Sequence, residues 1–424
     1  MNKYPEVIII GAGHVGLSAS YYLKQAGVEH LVLERAKIGE SWRSQRWDSF
    51  LLNTPNNLIG LPGLENENYD PEGFYDNKEF VAMLENYAAD FQLPVIEEAE
   101  VLTVEKKEEY FTVLVSERNI NRKYSCRQLI VCSGSQNQKK VPAFAKDVPL
   151  QITQLHASEY RNAAVLPDGA VLVVGSGQSG CQVAEDLVMG GKKVYLSTSK
   201  VARIPRYYRG KDILEWLDAI KFFDSKTEDV EDPQTIEMKP PQLAATGGGK
   251  QTISLQWLAK MGVIILGSME GVSGGKLKFR PDASEHIRFG DEFSNKVKAS
   301  IDGVIAQNNL DAPAAQYDEA DQPDINSDSN SKIDLLDPDA DKIGSVIWTT
   351  GFGANFNFLK LPVLDEEGYP LHKNGISNVR GLYFLGLPWL RTRKSGLLWG
   401  AKEDAAFIVE NVLRFAGRQF APNR

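Results

Sequence analysis

Residues 6–34 read EVIIIGAGHVGLSASYYLKQAGVEHLVLE, and this stretch decides the fold. Val7 to Ile10 is a short β-branched run bounded by glycine, the mark of a strand covered on both faces of a parallel sheet. Gly11, Gly13 and Gly16 follow, and then a helical pattern with Leu17, Tyr21 and Leu23 on one side. After Gly27 a second apolar run, His30 to Leu33, ends in Glu34. Strand, glycine turn, helix, strand and acid make a complete βαβ unit. The first glycine permits a tight turn, the second lets backbone N–H groups approach a pyrophosphate, and the third lets helix and strand pack closely. The helix N-terminus adds unsatisfied donors and the positive end of its dipole. Glu34, 18 residues beyond Gly16, is placed for ribose hydroxyls.

Residues 170–197, AVLVVGSGQSGCQVAEDLVMGGKKVYLS, repeat the theme. Val171 to Val174 is the strand, and Gly175, Gly177 and Gly180 form the turn, with Ser176, Gln178 and Ser179 between them. The second strand, Lys193 to Leu196, ends in Ser197 where the first unit has an acid. An acid would repel a 2′-phosphate, so its absence favours NADP over NAD. Ser199, Arg203 and Arg206 follow as candidate contacts, since the planar guanidinium fork binds two phosphate oxygens at once. Solvated surface arginines are the bland alternative. Two dinucleotide sites in one chain imply a resident FAD and a nicotinamide, NADPH with NADH possible, that delivers a hydride to it.

Composition agrees with this class. The 424 residues are 42% hydrophobic and 24% charged, with a net charge of −9, which argues against extended disorder, a nucleic-acid partner or an anionic membrane. No apolar stretch approaches the roughly 18–20 residues of a membrane span, and the N-terminus lacks a signal-peptide pattern. Cys126, Cys132 and Cys181 are too few for a disulfide framework. The expectation is a cytoplasmic protein acting on a small molecule and O2, with a homodimer as the commonest default.

Two segments, 129–142 and 345–356, are apolar strands ending in Ser/Thr-Gly and read as crossovers between modules. They place an FAD module at 1–150 plus 345–424 and the NADPH module, 151–344, inserted between, giving an α/β chain of two Rossmann-like domains. Residues 311–342 carry ten acids against two lysines and read as a solvated insertion rather than core. Its Asp spacing lacks the glycine of an EF-hand turn, so no metal site is assigned.

Disulfide reductases need a CxxxxC pair after the ribose acid, and residues 35–60 contain no cysteine. With both glycine units, GESWRSQRWDSFLLNTPNNLIGLPG (39–63) and LHASEYRNA (155–163) resemble the class B flavin monooxygenases. These comprise the flavin-containing monooxygenases, the plant YUCCA-type enzymes and the Baeyer–Villiger monooxygenases. The resemblance spans nearly the whole chain and is nearest to bacterial flavoproteins sharing RIPRYYRGKDILEWL (203–217) and GLPWLRTRKSGLLWGAKEDA (386–405).

The resemblance implies that Gly39, Trp42 and Arg43 lie beside the FAD. It implies that Arg35, Val101, Gly134 and Leu397 also contact it, and that Asn53 is the catalytic amide at the flavin edge, with Asn56 or Asn57 as the alternatives if the alignment slips. His156 and Tyr160 match the HxxxY half of the family's motif, while Leu150 and Ile152 depart from its first half. A satisfied linker histidine and core aromatics, Trp47 included, are the structural alternatives. Ser395 to Ala405 reads as a helix start aimed at the flavin pyrimidine, and Tyr207, Tyr208, Trp389 and Trp399 are candidate pocket aromatics. The implied chemistry is formation of a C4a-(hydro)peroxyflavin and transfer of one oxygen atom to sulfur or nitrogen. Carbonyl or 2-oxo-acid oxygenation and an uncoupled NADPH oxidase or redox sensor are the alternatives.

Overall fold

Two sheets organise the chain, one around each glycine loop, the first parallel except for antiparallel pairings at its 372–384 edge, in a computed structural model that describes residues 5–64, 70–238, 240–245, 251–322 and 332–418. The first sheet runs His372–Lys373, Ile376–Ser377, Leu382–Phe384, Gln128–Val131, Val7–Ile10, His30–Leu33 and Val95–Ile96. The second runs Ile264–Leu266, Val194–Ser197, Ala170–Val174, Ile343–Trp348 and Thr153–His156, all parallel. Val7–Ile10 and Ala170–Val174 are buried at every position, as strands covered by helices on both faces must be. The helix His14–Gln25 follows the first glycine loop and packs against Ala401–Phe415, and Gln178–Met189 follows the second.

The expected return to the first module at 345 is corrected by the sheet order. Ile343–Trp348 pairs on one side with Ala170–Val174 and on the other with Thr153–His156, so it is an inner strand of the second sheet. Its Thr-Thr-Gly ending marks the end of that strand, and the chain returns only afterwards. Gln128–Val131 is its counterpart in the first sheet, beside Val7–Ile10. The crossing itself is a short antiparallel ribbon in which Gln138–Lys139 pairs with Phe352–Gly353.

A smaller separate core gathers around Trp216, built from Ile213–Ala219 and the helix Ala283–Gln307. The acidic segment is less solvated than its composition suggests. Ala320 is buried and accepts from the Ser254 hydroxyl, Asp321 pairs with Arg203 and Lys298, and Leu335–Leu336 adds a strand to Lys276–Phe279. Residues 323–331 lie outside the described residues. The last helix begins at Ala401, not at Ser395, because Ser395 is used in the preceding turn, accepting from the Arg391 and Thr392 N–H groups. Among the described residues no helix is long and apolar enough to cross a membrane.

Candidate active site

The two glycine loops have the same internal geometry. A Cβ on Gly11 would lie 2.5 Å from the Cys132 carbonyl oxygen, and one on Gly175 would lie 2.7 Å from that of Thr349. A Cβ on Gly16 would fall 2.0 Å from the Gly11 oxygen, and one on Gly180 would fall 1.9 Å from the Gly175 oxygen. Both outer glycines are therefore demanded by the protein's own backbone. The middle ones differ: Gly13 and Gly177 have nothing within 4 Å of a Cβ position, and each caps a 12-residue helix. Open space in front of free helix N–H groups suits a diphosphate. On that observation the residues fit FAD at one loop and a nicotinamide dinucleotide at the other.

Glu34 is buried, and its carboxylate accepts from the N–H groups of Ala12 (2.8 Å) and Ala36 (3.1 Å). Burial pushes its carboxyl above the usual range, against the pull of those two donors. Arg35 is exposed beside it. Gly39, with φ at 69°, starts the short helix Glu40–Ser44 and donates to the Ala12 oxygen, bringing that helix to the first loop. Trp42 is half-buried against Phe50 and Phe80, whereas Arg43 turns to the surface and pairs with Glu85. Trp47 is a core aromatic in edge contact with Phe50. Val101 lies in the antiparallel strand Ala99–Lys107, two residues past Ala99, whose N–H donates to the Glu34 oxygen. Gly134 follows Gln128–Val131 with a positive φ and open space around it, and Leu397 is exposed in the turn before the last helix.

In the second module Ser176 is buried, and its hydroxyl bridges to the backbone of Ser199, while Ser179 is exposed. Ser197 is buried, donating to the Gly267 oxygen and accepting from the Met269 N–H. The expectation that Arg203 and Arg206 meet a 2′-phosphate is corrected by their surroundings. Arg203 is 2% exposed and committed to Asp291 and Asp321. Arg206 is fully buried, 2.6 Å from Asp212 and stacked over Phe74. The exposed cation at the end of this βαβ unit is Lys200, whose ammonium lies over the Phe289 ring.

Asn53 stands where the modules meet. Its backbone oxygen accepts from Arg206 Nη1 at 2.8 Å, and its side-chain Oδ1 faces the amide nitrogens of Gln178 (3.5 Å) and Gln182 (3.4 Å). Asn56 instead uses its side chain on Asp70 and Tyr75 backbone, and Asn57 reaches Glu215. His156 caps the turn 157–159 and bonds Ser158 Oγ and the Gly351 oxygen, both at 3.0 Å, so it is a satisfied linker histidine. Tyr160 is buried and donates to Asp186. The hydroxyls of Tyr207 and Tyr208 are taken by the Gly210 oxygen and Asp302, and Trp399 packs on Phe223.

The profile of the Pyridine nucleotide-disulphide oxidoreductase family matches residues 8–232, more than half of the chain. The chain belongs to this family. An uncharacterized CzcO-like oxidoreductase of Geobacillus kaustophilus is 29% identical over 416 residues, 97% of this chain and 99% of the relative. YUCCA3 of Arabidopsis thaliana, a probable indole-3-pyruvate monooxygenase, is 27% identical over 433 residues, 96% of this chain and 86% of the relative. A flavin-containing monooxygenase from Stenotrophomonas maltophilia shares the fold at a TM-score of 0.64 and 18% identity, covering 97% of this chain and 99% of that one. The resemblance seen in 39–63 and 155–163 thus extends over the whole architecture. The protein is a flavin-dependent oxidoreductase. All three cysteines of this oxidoreductase are buried and free.

Several site residues carry no motif. Gln182 and Asp186 were hidden in an ordinary helical stretch, although their spacing of four and eight from Gln178 is visible in GQSGCQVAED. His14 follows the first loop with Nε2 buried and unbonded, and burial lowers its pKa to about 4. Arg46 stacks on Trp42 (4.7 Å) and Phe50 (5.2 Å), and burial lowers its pKa to about 10.

Proposed function

We propose that this oxidoreductase is an FAD- and NADPH-dependent monooxygenase that inserts one atom of O2 into a small organic substrate at sulfur or nitrogen. The observation that carries the reading is Asn53: a flavin-module amide held against the nicotinamide loop's own helix, between two open dinucleotide cradles. Bound flavin, once reduced by the nicotinamide, supplies the oxygen-activating chemistry.

The chain's residues do the rest. The Gly11–Gly16 loop and its helix N-terminus take the FAD diphosphate, and Glu34 takes the adenosine ribose. The Gly175–Gly180 loop takes the diphosphate of NADPH. Ser197 leaves room for a 2′-phosphate, and Lys200 supplies its cation. Asn53 has its Oδ1 turned toward two glutamine amides, and no described residue takes its Nδ2 hydrogens, so a donor faces the junction. Gln178 and Arg206 hold Asn53 at this junction, and exclusion of water there by the bound dinucleotides would favour oxygen transfer over loss of peroxide. The relatives named as monooxygenases support the same reading.

Anaerobic reduction by NADPH followed by mixing with O2 tests it. A long-lived near-ultraviolet transient before oxidised flavin returns, with a decay accelerated by a thioether or amine, is the expected result. Immediate return of oxidised flavin with one hydrogen peroxide per NADPH, with or without those substrates, identifies an NADPH oxidase instead.

A further inference from the structure

The helix Gln178–Met189 carries its apolar side chains Cys181, Val183, Ala184 and Leu187 into the core. Gln178, Gln182 and Asp186 recur every four residues and so share one face. That face meets the flavin module's segment 49–53, whose two contacting residues are also four apart. Gln178 and Gln182 point their amide nitrogens at Asn53 Oδ1 (3.5 and 3.4 Å), and Asp186 Oδ1 accepts from the Ser49 hydroxyl at 2.5 Å. The other Asp186 oxygen accepts from the Tyr160 hydroxyl, also at 2.5 Å, so the inter-module linker closes on the same carboxylate.

Apolar packing is non-directional and lets a helix slide along its neighbour at little cost. Hydrogen bonds do not, and Gln182 is 2% exposed, where a polar group left unpaired is costly. We propose that Gln178, Gln182 and Asp186 form a polar rail that fixes the register of the nicotinamide-loop helix against segment 49–53 and thereby aims the Asn53 amide. They are positioning residues, and the inference rests on the function proposed above. The two short bonds anchor the Asp186 end. The two longer ones orient Asn53 Oδ1 toward the rail and leave Nδ2 pointing away from it. The Tyr160 phenol remains a donor throughout, because burial and the Asp186 charge hold its pKa far above the usual value.

The test uses the FAD-loaded protein with Asp186→Asn, Gln182→Leu, Ser49→Ala and Ser49→Thr. Asp186→Asn and Ser49→Ala should slow anaerobic flavin reduction by NADPH about tenfold or more, as a small misplacement of reacting groups does. Reduction by dithionite and FAD content should stay unchanged, and Ser49→Thr, which keeps the hydroxyl, should hold the wild-type rate. Gln182→Leu should raise peroxide released per NADPH, again with FAD content and dithionite reduction unchanged. Ser49 is exposed, so its variants report even if the Asp186 change impairs folding. Wild-type rates and peroxide yields in all variants overturn the rail alone, as do losses that follow FAD content or the dithionite rate. Absence of NADPH-driven reduction in the wild type overturns the functional reading and the rail with it.

Discussion

Arg206 donates to the backbone oxygen of Asn53 across 2.8 Å while fully buried and 2.6 Å from Asp212. A residue of the nicotinamide module thus holds the flavin module's candidate amide from behind. Asp212 shows what the arrangement costs: burial pushes its carboxyl up, and only Arg206 and the Leu214 N–H pull it back substantially. Arg206→Met leaves that carboxylate uncompensated. Breaking a buried pair in this way costs about 3–5 kcal/mol, so the variant should show a clearly lowered denaturation midpoint. The double variant Arg206→Met with Asp212→Asn should recover much of the loss, because the orphaned charge is gone. Equal midpoints for the single and double variants would show that the ion pair is not the source.

The chain has five histidines, and burial lowers the pKa of every one: His14 to about 4, and His30, His156, His286 and His372 in the same direction. Each imidazole is therefore protonated more readily in the unfolded chain than in the folded one. Stability is unaffected above the unfolded value of 6.5 and falls as pH drops below it, until the folded groups also protonate. His14 alone contributes about 3 kcal/mol of this loss, from its pKa difference. Urea denaturation between neutral pH and about pH 4 should show midpoints falling with acid, and His14→Gln should flatten the slope. A flat profile in the wild type would refute buried neutral imidazoles.

The two sheets were legible because a buried parallel strand leaves an apolar run, and each glycine at a backbone contact leaves a fixed spacing. What lies between the modules left no such trace. Arg203 and Arg206 read as phosphate ligands because a sequence shows charge but not the carboxylates that meet it from far along the chain, Asp291 and Asp321 in one case. Ile343–Trp348 read as a return to the first module because its Thr-Thr-Gly ending resembles the Ser-Gly after Gln128–Val131. The resemblance is real, since each segment packs against the first glycine of its own loop. Asn53 came from family likeness, and its three partners from the nicotinamide module came only from the fold.

With Arg203 and Arg206 buried in ion pairs, the proposed 2′-phosphate contact falls to Lys200. It is exposed, three residues past Ser197, and lies on the rim of the second glycine loop through the bonded pair Ser176 and Ser199. Lys200→Ala should raise the KM for NADPH about ten- to hundredfold while leaving that for NADH unchanged, since a charge-assisted phosphate contact is worth about 1.5–3 kcal/mol. Ser197→Glu should oppose NADPH more strongly by adding a like charge, although the Gly267 and Met269 bonds at that position make it the more disruptive change. Steady-state kinetics with both nucleotides check the pair. Equal losses with NADPH and NADH would place Lys200 outside the phosphate site.

The repeated glycine geometry separates fold from ligand binding in a way four alanine variants can show. Gly16→Ala and Gly180→Ala would each drive a Cβ to within 2.0 and 1.9 Å of a backbone oxygen in the same loop, which cannot be relieved without opening the turn. These should yield little soluble protein. Gly13 and Gly177 have extended backbone with φ of −80° and −68° and empty space at the Cβ position, so alanine fits the protein there. A methyl group at that point occupies the ground a diphosphate would use. Gly13→Ala should therefore fold and be purified without flavin colour. Gly177→Ala should retain its flavin, accept electrons from dithionite, and lose reduction by NADPH. A Gly13→Ala protein that keeps its flavin, or a Gly177→Ala protein reduced by NADPH at the wild-type rate, would mean that the corresponding loop is not where that dinucleotide binds.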